Sequence, residues 1–380
     1  MARIDLINVC ATLAERGARR PAPAPEEGAT PGAPPAPRGP GATFAIENLN
    51  LTVPDGKTMV VLGPSGCGKT TLLKLVAGLI PLQSGQVRFD GVNVKDVATG
   101  ERRIGMVFQN YALYPHFTSR TNILSYFLFR KKTPALNALA AEKYRRTSEL
   151  MGVELEHLLD RMPTTLSGGE KQRVALGRCI TRNAEVFLVD EPFANLDQAL
   201  RERYRVNLKA LLRQFDITTV YVTHDHNEAL ILADLVAVMT RGRIEQVGTF
   251  QELYDEPQNV FVAGFLNVHA DTPPISLLAP RPSPAAPRRG PVRLGVRPED
   301  VLVSTSARPD AVPGVVRSGL RLPMRNAAVL TIRAGEDEIH ARVPDAEPPA
   351  AGTPVWLTFR RHHLFDPDSG ARLATVPDSR

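Results

Sequence analysis

The sequence predicts an α/β fold followed by a small β-barrel, and three observations carry that expectation. From Ile46 to about Leu266, apolar strand-like runs alternate with helix-like stretches, the pattern of a sheet flanked by helices. Within this region a glycine-rich turn ending in Lys69-Thr70 joins a continuous apolar run to a helix-forming one. Beyond a Pro-rich stretch, Thr272 to Pro291, come five short β-rich runs set apart by Pro and Gly: Val292–Val296, Val312–Val316, Ala328–Ile332, Ile339–Val343 and Val355–Phe359. Strands that short at that spacing suggest a small barrel.

Taken in order, Ile4 to Val9 reads as a short strand. Gly17 to Thr43 then carries eight prolines and almost no large apolar residue. Such a segment cannot bury enough surface to offset its ordering entropy, so a disordered insertion is expected over about 17–43. Ile46–Val53 alternates as a half-buried strand should. Met59-Val60-Val61-Leu62 is apolar throughout, as a buried parallel strand requires, and Thr71–Ala77 is a good helix. Val186-Phe187-Leu188-Val189 is a second fully apolar run, ending abruptly in Asp190-Glu191-Pro192.

Composition bounds the function. At 380 residues the chain can bury two or three cores, and 43% hydrophobic with 23% charged residues is ordinary for a globular protein. The net charge of +6 reflects scattered solvated arginines such as Arg288-Arg289, so nucleic acid is not an expected partner. Cys10, Cys67 and Cys179 lie far apart without metal-ligand spacing, so neither a disulfide framework nor a zinc site is suggested, and a reducing, cytoplasmic setting fits. No run approaches the roughly 18 apolar residues of a membrane span, and the start of the chain does not resemble a signal peptide. Membrane association is therefore expected only through partners.

Gly63-Pro64-Ser65-Gly66-Cys67-Gly68-Lys69-Thr70 fits the phosphate-loop pattern G-x-x-x-x-G-K-[ST], with strand before it and helix after. Glycines let backbone N–H groups turn inward around a phosphate at a helix N-terminus that already favours anions. Lys69 would reach the β- and γ-phosphates of ATP, and the Thr70 hydroxyl is placed for Mg²⁺. Asp190, at the end of a buried parallel strand, would hold Mg²⁺ directly or through water, with Glu191 as the base that polarises the attacking water. Further along, Ser167 and Glu170 form an S-x-x-E capping box for the next helix. Capping leaves Gly168 and Gly169 unexplained, since Gly weakens a first turn. They make sense if something large and anionic must approach the backbone there.

These residues resemble the ATP-binding-cassette family. Leu166-Ser167-Gly168-Gly169 matches its signature motif, Gln109 its glutamine loop, Asn195-Leu196-Asp197 its dimer-contact loop and His224 its switch histidine, in the family's order. The resemblance implies a RecA-like phosphate-loop NTPase core with a helical subdomain over about 111–170, an OB-like barrel at 292–380, and a linker at 267–291 closing a nucleotide-binding domain of 1–266. It implies head-to-tail pairs. One copy contributes Gly63–Thr71, Gln109, Asp190, Glu191 and His224, and the other closes the site with Ser167 and Gly169; Asp197, in the dimer-contact loop, is a further nucleotide-binding candidate. Gln109 joins Thr70 and Asp190 at the metal.

Ile104–Phe117, Ile244–Tyr254, Phe261–Leu266 and Leu294–Asp300 resemble bacterial carbohydrate importers of the maltose and glycerol-phosphate type. That resemblance implies permease subunits, a solute-binding protein and a peripheral place on the cytoplasmic face of the inner membrane. A polyamine or ion importer, or a soluble non-transport ATPase of the family, are the alternatives. Tyr111, Tyr114, His116 and Phe117 lie where the family receives a short helix from the membrane subunit. The sequence after Leu266 departs from the importer pattern, Ala194 replaces a common Ser, and the family's adenine-stacking aromatic would fall near Leu13 or Pro40, leaving Phe44 as the one substitute.

Overall fold

The computed structural model describes residues 2–12, 44–128, 130–151, 153–182, 184–193, 198–215, 217–269, 272–283, 285–287, 290–308, 311–344 and 348–377. The expected insertion at about 17–43 lies outside them, as do Leu13, Pro40 and the dimer-contact residues Asn195, Leu196 and Asp197. The chain divides into two units, Met1–Ile244 and Glu245–Arg380.

The first unit opens with strands β1 (Ile4–Thr12), β2 (Phe44–Val53) and β3 (Thr58–Leu62), then helix α1 (Lys69–Ala77). Strands β4 (Ser84–Phe89), β5 (Val92–Asn93) and β6 (Ile104–Val107) follow. Next come helices α2 (Ser119–Ile123), α3 (Ser125–Leu128), α4 (Pro134–Met151), α5 (Val153–Glu156) and α6 (Gly168–Thr181). The order closes with β7 (Val186–Asp190), α7 (Gln198–Phe215), β8 (Thr218–Thr223), α8 (His226–Leu232), β9 (Leu235–Thr240) and β10 (Arg243–Gly248), in which the division after Ile244 falls.

Two sheets result. One is antiparallel, in the order β2-β1-β4-β5; the other runs β10-β9-β3-β8-β7-β6, with β9, β3, β8, β7 and β6 mutually parallel. Every residue of β3, β7 and β8 is buried, which is why β3 and β7 read as near-continuous apolar runs without alternation. Helix α1 packs between the sheets, its Leu72, Leu73 and Val76 in one core with Ile4, Leu188 and Val222. The helical region begins at Ser119, since Tyr111 and Ala112 adopt left-handed backbone (φ 62 and 46) and cannot continue a helix. Helix α6 packs against α2, α4 and β6.

The second unit carries α9 (Phe250–Asp255) and α10 (Val260–Phe265), then strands β11 (Ser276–Leu277), β12 (Arg281–Pro282), β13 (Pro291–Val296), β14 (Val301–Ser304) and β15 (Val312–Leu322). It ends with β16 (Ala327–Ala334), β17 (Asp337–Pro344), β18 (Pro354–Phe359), β19 (Arg361–Phe365) and β20 (Arg372–Pro377). They form two antiparallel sheets, β11-β13-β19-β20 with β12 beside β13, and β14-β18-β15-β16-β17. Leu278, Val296, Val301, Leu330, Ile339 and Leu357 share its core.

The division after Ile244 precedes the change in composition near Leu266, and one buried cation gives the physical reason. The Arg297 guanidinium, 1% exposed, donates to the carbonyls of Tyr254 (2.8 and 3.2 Å), Leu266 (3.2 Å) and Pro274 (2.9 Å). It also lies 3.5 Å over the Tyr254 ring. The carbonyls at the ends of α9 and α10 thus find their partner in the barrel. The stretch read as linker supplies β11 and β12, each of two residues.

Candidate active site

The glycine-rich loop leaves β3 and enters α1 through Gly68, whose φ of 110° only glycine adopts without strain. Gly66 also has positive φ (79°). Gly63 is held by proximity instead: a Cβ there would lie 2.3 Å from the Met239 carbonyl oxygen and 2.6 Å from Cys67 Sγ. Cys67 is itself buried, and burial pushes its thiol pKa up. The Lys69 ammonium, on a 6% exposed side chain, donates to the carbonyls of Gly63 (2.8 Å) and Pro64 (3.1 Å), so the loop curls around its own cation. Thr71 is buried behind it, whereas Pro64, Ser65 and Gly66 face outward.

Strand order brings the remaining residues alongside. Leu62 pairs with Thr223, Asp190 with Val222 and Val107 with Val189, so β3, β8, β7 and β6 end level on one edge. From that edge issue the phosphate loop, His224, Asp190-Glu191 and Gln109, which is exposed in the turn after β6. Thr70 Oγ1 donates to Asp190 Oδ1 at 3.0 Å. Burial raises the Asp190 pKa against the opposing Thr70 hydrogen bond, and the neighbouring Glu191 charge raises it further.

Glu191 has a φ of 40°, a costly conformation for a residue with a Cβ, and its N–H donates to the Val222 carbonyl at 3.1 Å. Its carboxylate lies 3.9 Å from Lys69 Nζ on one oxygen and 3.2 Å from His224 Nδ1 on the other. A carboxylate so placed beside the phosphate loop has the chemistry of a general base toward water.

Ser167 caps α6 as the sequence predicts. Its hydroxyl accepts from Glu170 N–H (3.4 Å), and its own N–H donates to Glu170 Oε2 (2.6 Å). Glu170 also receives Arg161 at 2.9 Å, and Gly169 is buried in the first turn. These contacts hold Ser167 and Gly169 to the helical region, and none of them reaches the phosphate loop.

Three supporting residues escape the sequence reading because their partners are distant or are backbone. Asn122, fully buried, accepts from Tyr114 N–H (2.8 Å) and donates to the carbonyls of Tyr114, Phe117 and Thr118 (3.0–3.1 Å). It shapes the aromatic loop, in which Tyr114 and Phe117 stand 5.5 Å apart between centroids while Tyr111 is buried. Arg178 of α6 donates to the carbonyls of Ala112 (2.7 Å) and Tyr111 (3.0 Å). Arg205 pairs with Asp225, the cap of α8, and lies 3.8 Å from Glu228, which accepts from the Tyr221 hydroxyl at 2.7 Å. That network adjoins His224 through Asp225, the next residue in the chain. The side chain of Phe44, the possible adenine partner, lies outside the described atoms.

Against known proteins, a family model described as ABC transporter matches residues 46–194, and one described as TOBE domain matches 294–365. The chain is 39% identical over 360 residues to the sn-glycerol-3-phosphate import ATP-binding protein UgpC of Rhodopseudomonas palustris, covering 88% of this chain and 96% of that protein. It is 40% identical over 378 residues to the trehalose import ATP-binding protein SugC of Mycobacterium tuberculosis, covering 88% and 95%. Among solved structures, the dimeric bacterial ABC transporter cassette MJ0796 superposes with a TM-score of 0.50 at 28% identity, over 65% of this chain and 98% of that one.

Proposed function

From the premise that the chain belongs to the ATP-binding-cassette transporter family, and so binds and hydrolyses ATP, we propose that it drives an importer of sugar-class solutes as one of a head-to-tail pair of such subunits. The observation that carries the mechanism is the convergence of four loops on one sheet edge. In it, Lys69 neutralises phosphate charge while the backbone of Gly63 to Thr70 cradles the anion. Thr70 and Asp190 offer hard oxygen donors 3.0 Å apart, the chemistry Mg²⁺ prefers, and that ion is commonly held by one or two carboxylates plus phosphates and water. Held by Thr70 and Asp190, Mg²⁺ would supply positive charge that offsets that of the phosphates. Gln109 reaches the same edge from β6.

Glu191 orients and deprotonates the attacking water. His224, beside it, steadies the carboxylate and senses the γ-phosphate. Ser167 and Gly169 of the second copy, with Asp197, close the site at the N-terminal end of α6, which favours anions. No helix among the described residues is long and apolar enough to cross a membrane, so permease subunits supply the span, and a solute-binding protein delivers cargo to them. The aromatic loop of Tyr114 and Phe117 is the docking place for a permease helix at the cytoplasmic membrane face, its Tyr114 lining a cavity of about 510 Å³ with Phe108, Tyr126 and Arg178. The import names of the two relatives, for glycerol phosphate and trehalose, support a polyol or sugar as the solute.

The deciding experiment is Glu191→Gln. A general base contributes about 10²–10⁴ in rate, so hydrolysis should fall by that order while ATP affinity stays near that of the parent and dimer accumulates. Hydrolysis at the parent rate would overturn the assignment.

A further inference from the structure

The His224 side chain is 56% exposed, and the Glu191 carboxylate beside its Nδ1 belongs to a residue of strained backbone. Packing alone does not fix this imidazole, so its position depends on how the backbone on either side is held. Both sides are tied. After it, the Asp225 N–H donates to the Thr223 hydroxyl (3.0 Å), and the Asp225 carboxylate accepts from the Asn227 N–H (2.8 Å) as the cap of α8. Before it, Thr223 is 2% exposed at the end of β8, and its hydroxyl bonds the buried Glu228 carboxylate together with that of Tyr221 (2.7 Å). One cation serves both sides: Arg205 of α7, 6% exposed, donates to Asp225 Oδ2 and lies 3.8 Å from Glu228. One turn along α7, Lys209 Nζ donates to the Ile231 carbonyl, so α7 grips α8 near both of its ends.

We propose that Arg205 is a positioning residue for hydrolysis: by holding the Asp225 and Glu228 carboxylates from α7, it sets where His224 meets Glu191 and the γ-phosphate. This role rests on the reading of Glu191 and His224 as partners in hydrolysis. A buried ion pair is a weak way to stabilise a fold, because desolvation offsets its attraction. A guanidinium is a good way to fix geometry, because its N–H directions are rigid. Arg205 touches no reacting atom, and its effect reaches ATP only through His224.

Two variants of the full chain test it. Arg205→Lys keeps the charge and loses the rigid fork. Arg205→Met combined with Glu228→Gln removes opposite buried charges together, so folding is retained and the urea midpoint should stay near that of the parent. Misplacing a reacting group by about 1 Å can cost about 10²-fold, so kcat for ATP should fall about tenfold or more in both. KM should stay within about twofold, since the lost interaction acts only in the transition state. Arg205→Lys is then combined with His224→Ala and read by single-turnover hydrolysis with protein in excess, which resolves slow rates. A residue acting through His224 adds less than about twofold to the loss there, whereas a merely structural one costs the same fold in both backgrounds. An equal loss in both backgrounds, a loss in KM or urea midpoint in place of kcat, or parent kcat in both Arg205 variants overturns the role of Arg205 while leaving His224 in place. His224→Ala hydrolysing at the parent rate overturns the reading of His224 itself, and this role with it.

Discussion

Gly63 and Gly66 stand three positions apart in one loop, yet different constraints hold them. At Gly63 an added methyl would press on the Met239 carbonyl, 2.3 Å away, so backbone must move. At Gly66 nothing lies within 4 Å, and only the positive φ opposes a side chain. Gly63→Ala should cost about 1–3 kcal/mol in a urea-unfolding measurement, as overpacking does, and should abolish tight ATP binding. Gly66→Ala should cost about 1 kcal/mol, the price of left-handed backbone. Equal costs would show that the loop yields at Gly63. The glycine pattern is legible in the sequence, but the division of labour is not, because Met239 comes from a strand far along the chain. Asn122 is hidden for a related reason: its partners are backbone atoms, which leave no residue signature.

At the scale of elements, β3 and β7 announce themselves because burial on both faces favours continuous apolar runs, whereas β8, equally buried, carries three threonines. β19 and β20 do not announce themselves, since β19 reads Arg-His-His-Leu-Phe and a histidine, His363, 1% exposed, is buried in it beside Leu364 and Phe365. Burial first, then the nearby Arg297, Arg361 and Arg372, lowers the His363 pKa from 6.5 to about 3. Unfolded chain therefore takes up a proton near pH 6.5 that the folded barrel refuses until about pH 3. Stability is unaffected above that window and falls as pH drops through it, by about 1.4 kcal/mol per unit at most. Fluorescence of Trp356, the only tryptophan, should report this acid limb in urea titrations, and His363→Gln should flatten it. An unchanged limb in the variant would assign the acid sensitivity elsewhere. The loop of residues 111–118 makes a second element-level case. Asn122→Ala removes the side-chain partner of the Tyr114 N–H and of the Phe117 carbonyl, while the Tyr114 and Thr118 carbonyls keep backbone donors, at a cost of about 1–3 kcal/mol. It should weaken co-purification with permease subunits while leaving nucleotide affinity intact; equal retention with the parent would remove this loop from the docking surface.

For the whole molecule, a site divided between copies makes a mixing experiment decisive. Lys69→Ala disables the cradle and Ser167→Arg the opposing face, so each protein alone should be inactive. Mixed, they form pairs with one intact composite site, and measurable ATP hydrolysis should return. Failure to recover any activity would argue against head-to-tail sharing. Length, composition and motif order made the two-part architecture readable in the sequence, though a change of composition marks where the chain looks different and not where its contacts divide. The buried Arg297 shows the gap between these. By binding carbonyls of Tyr254 and Leu266, it makes the two helices before the barrel dependent on a residue inside it. Recombination between relatives that joined one cassette to another's barrel after Leu266 would therefore separate this cation from its acceptors unless both parents carried it. Chimaeras that exchange the barrel together with the helices from Phe250 onward would keep the cluster whole, so the unit of inheritance here is larger than the visible barrel.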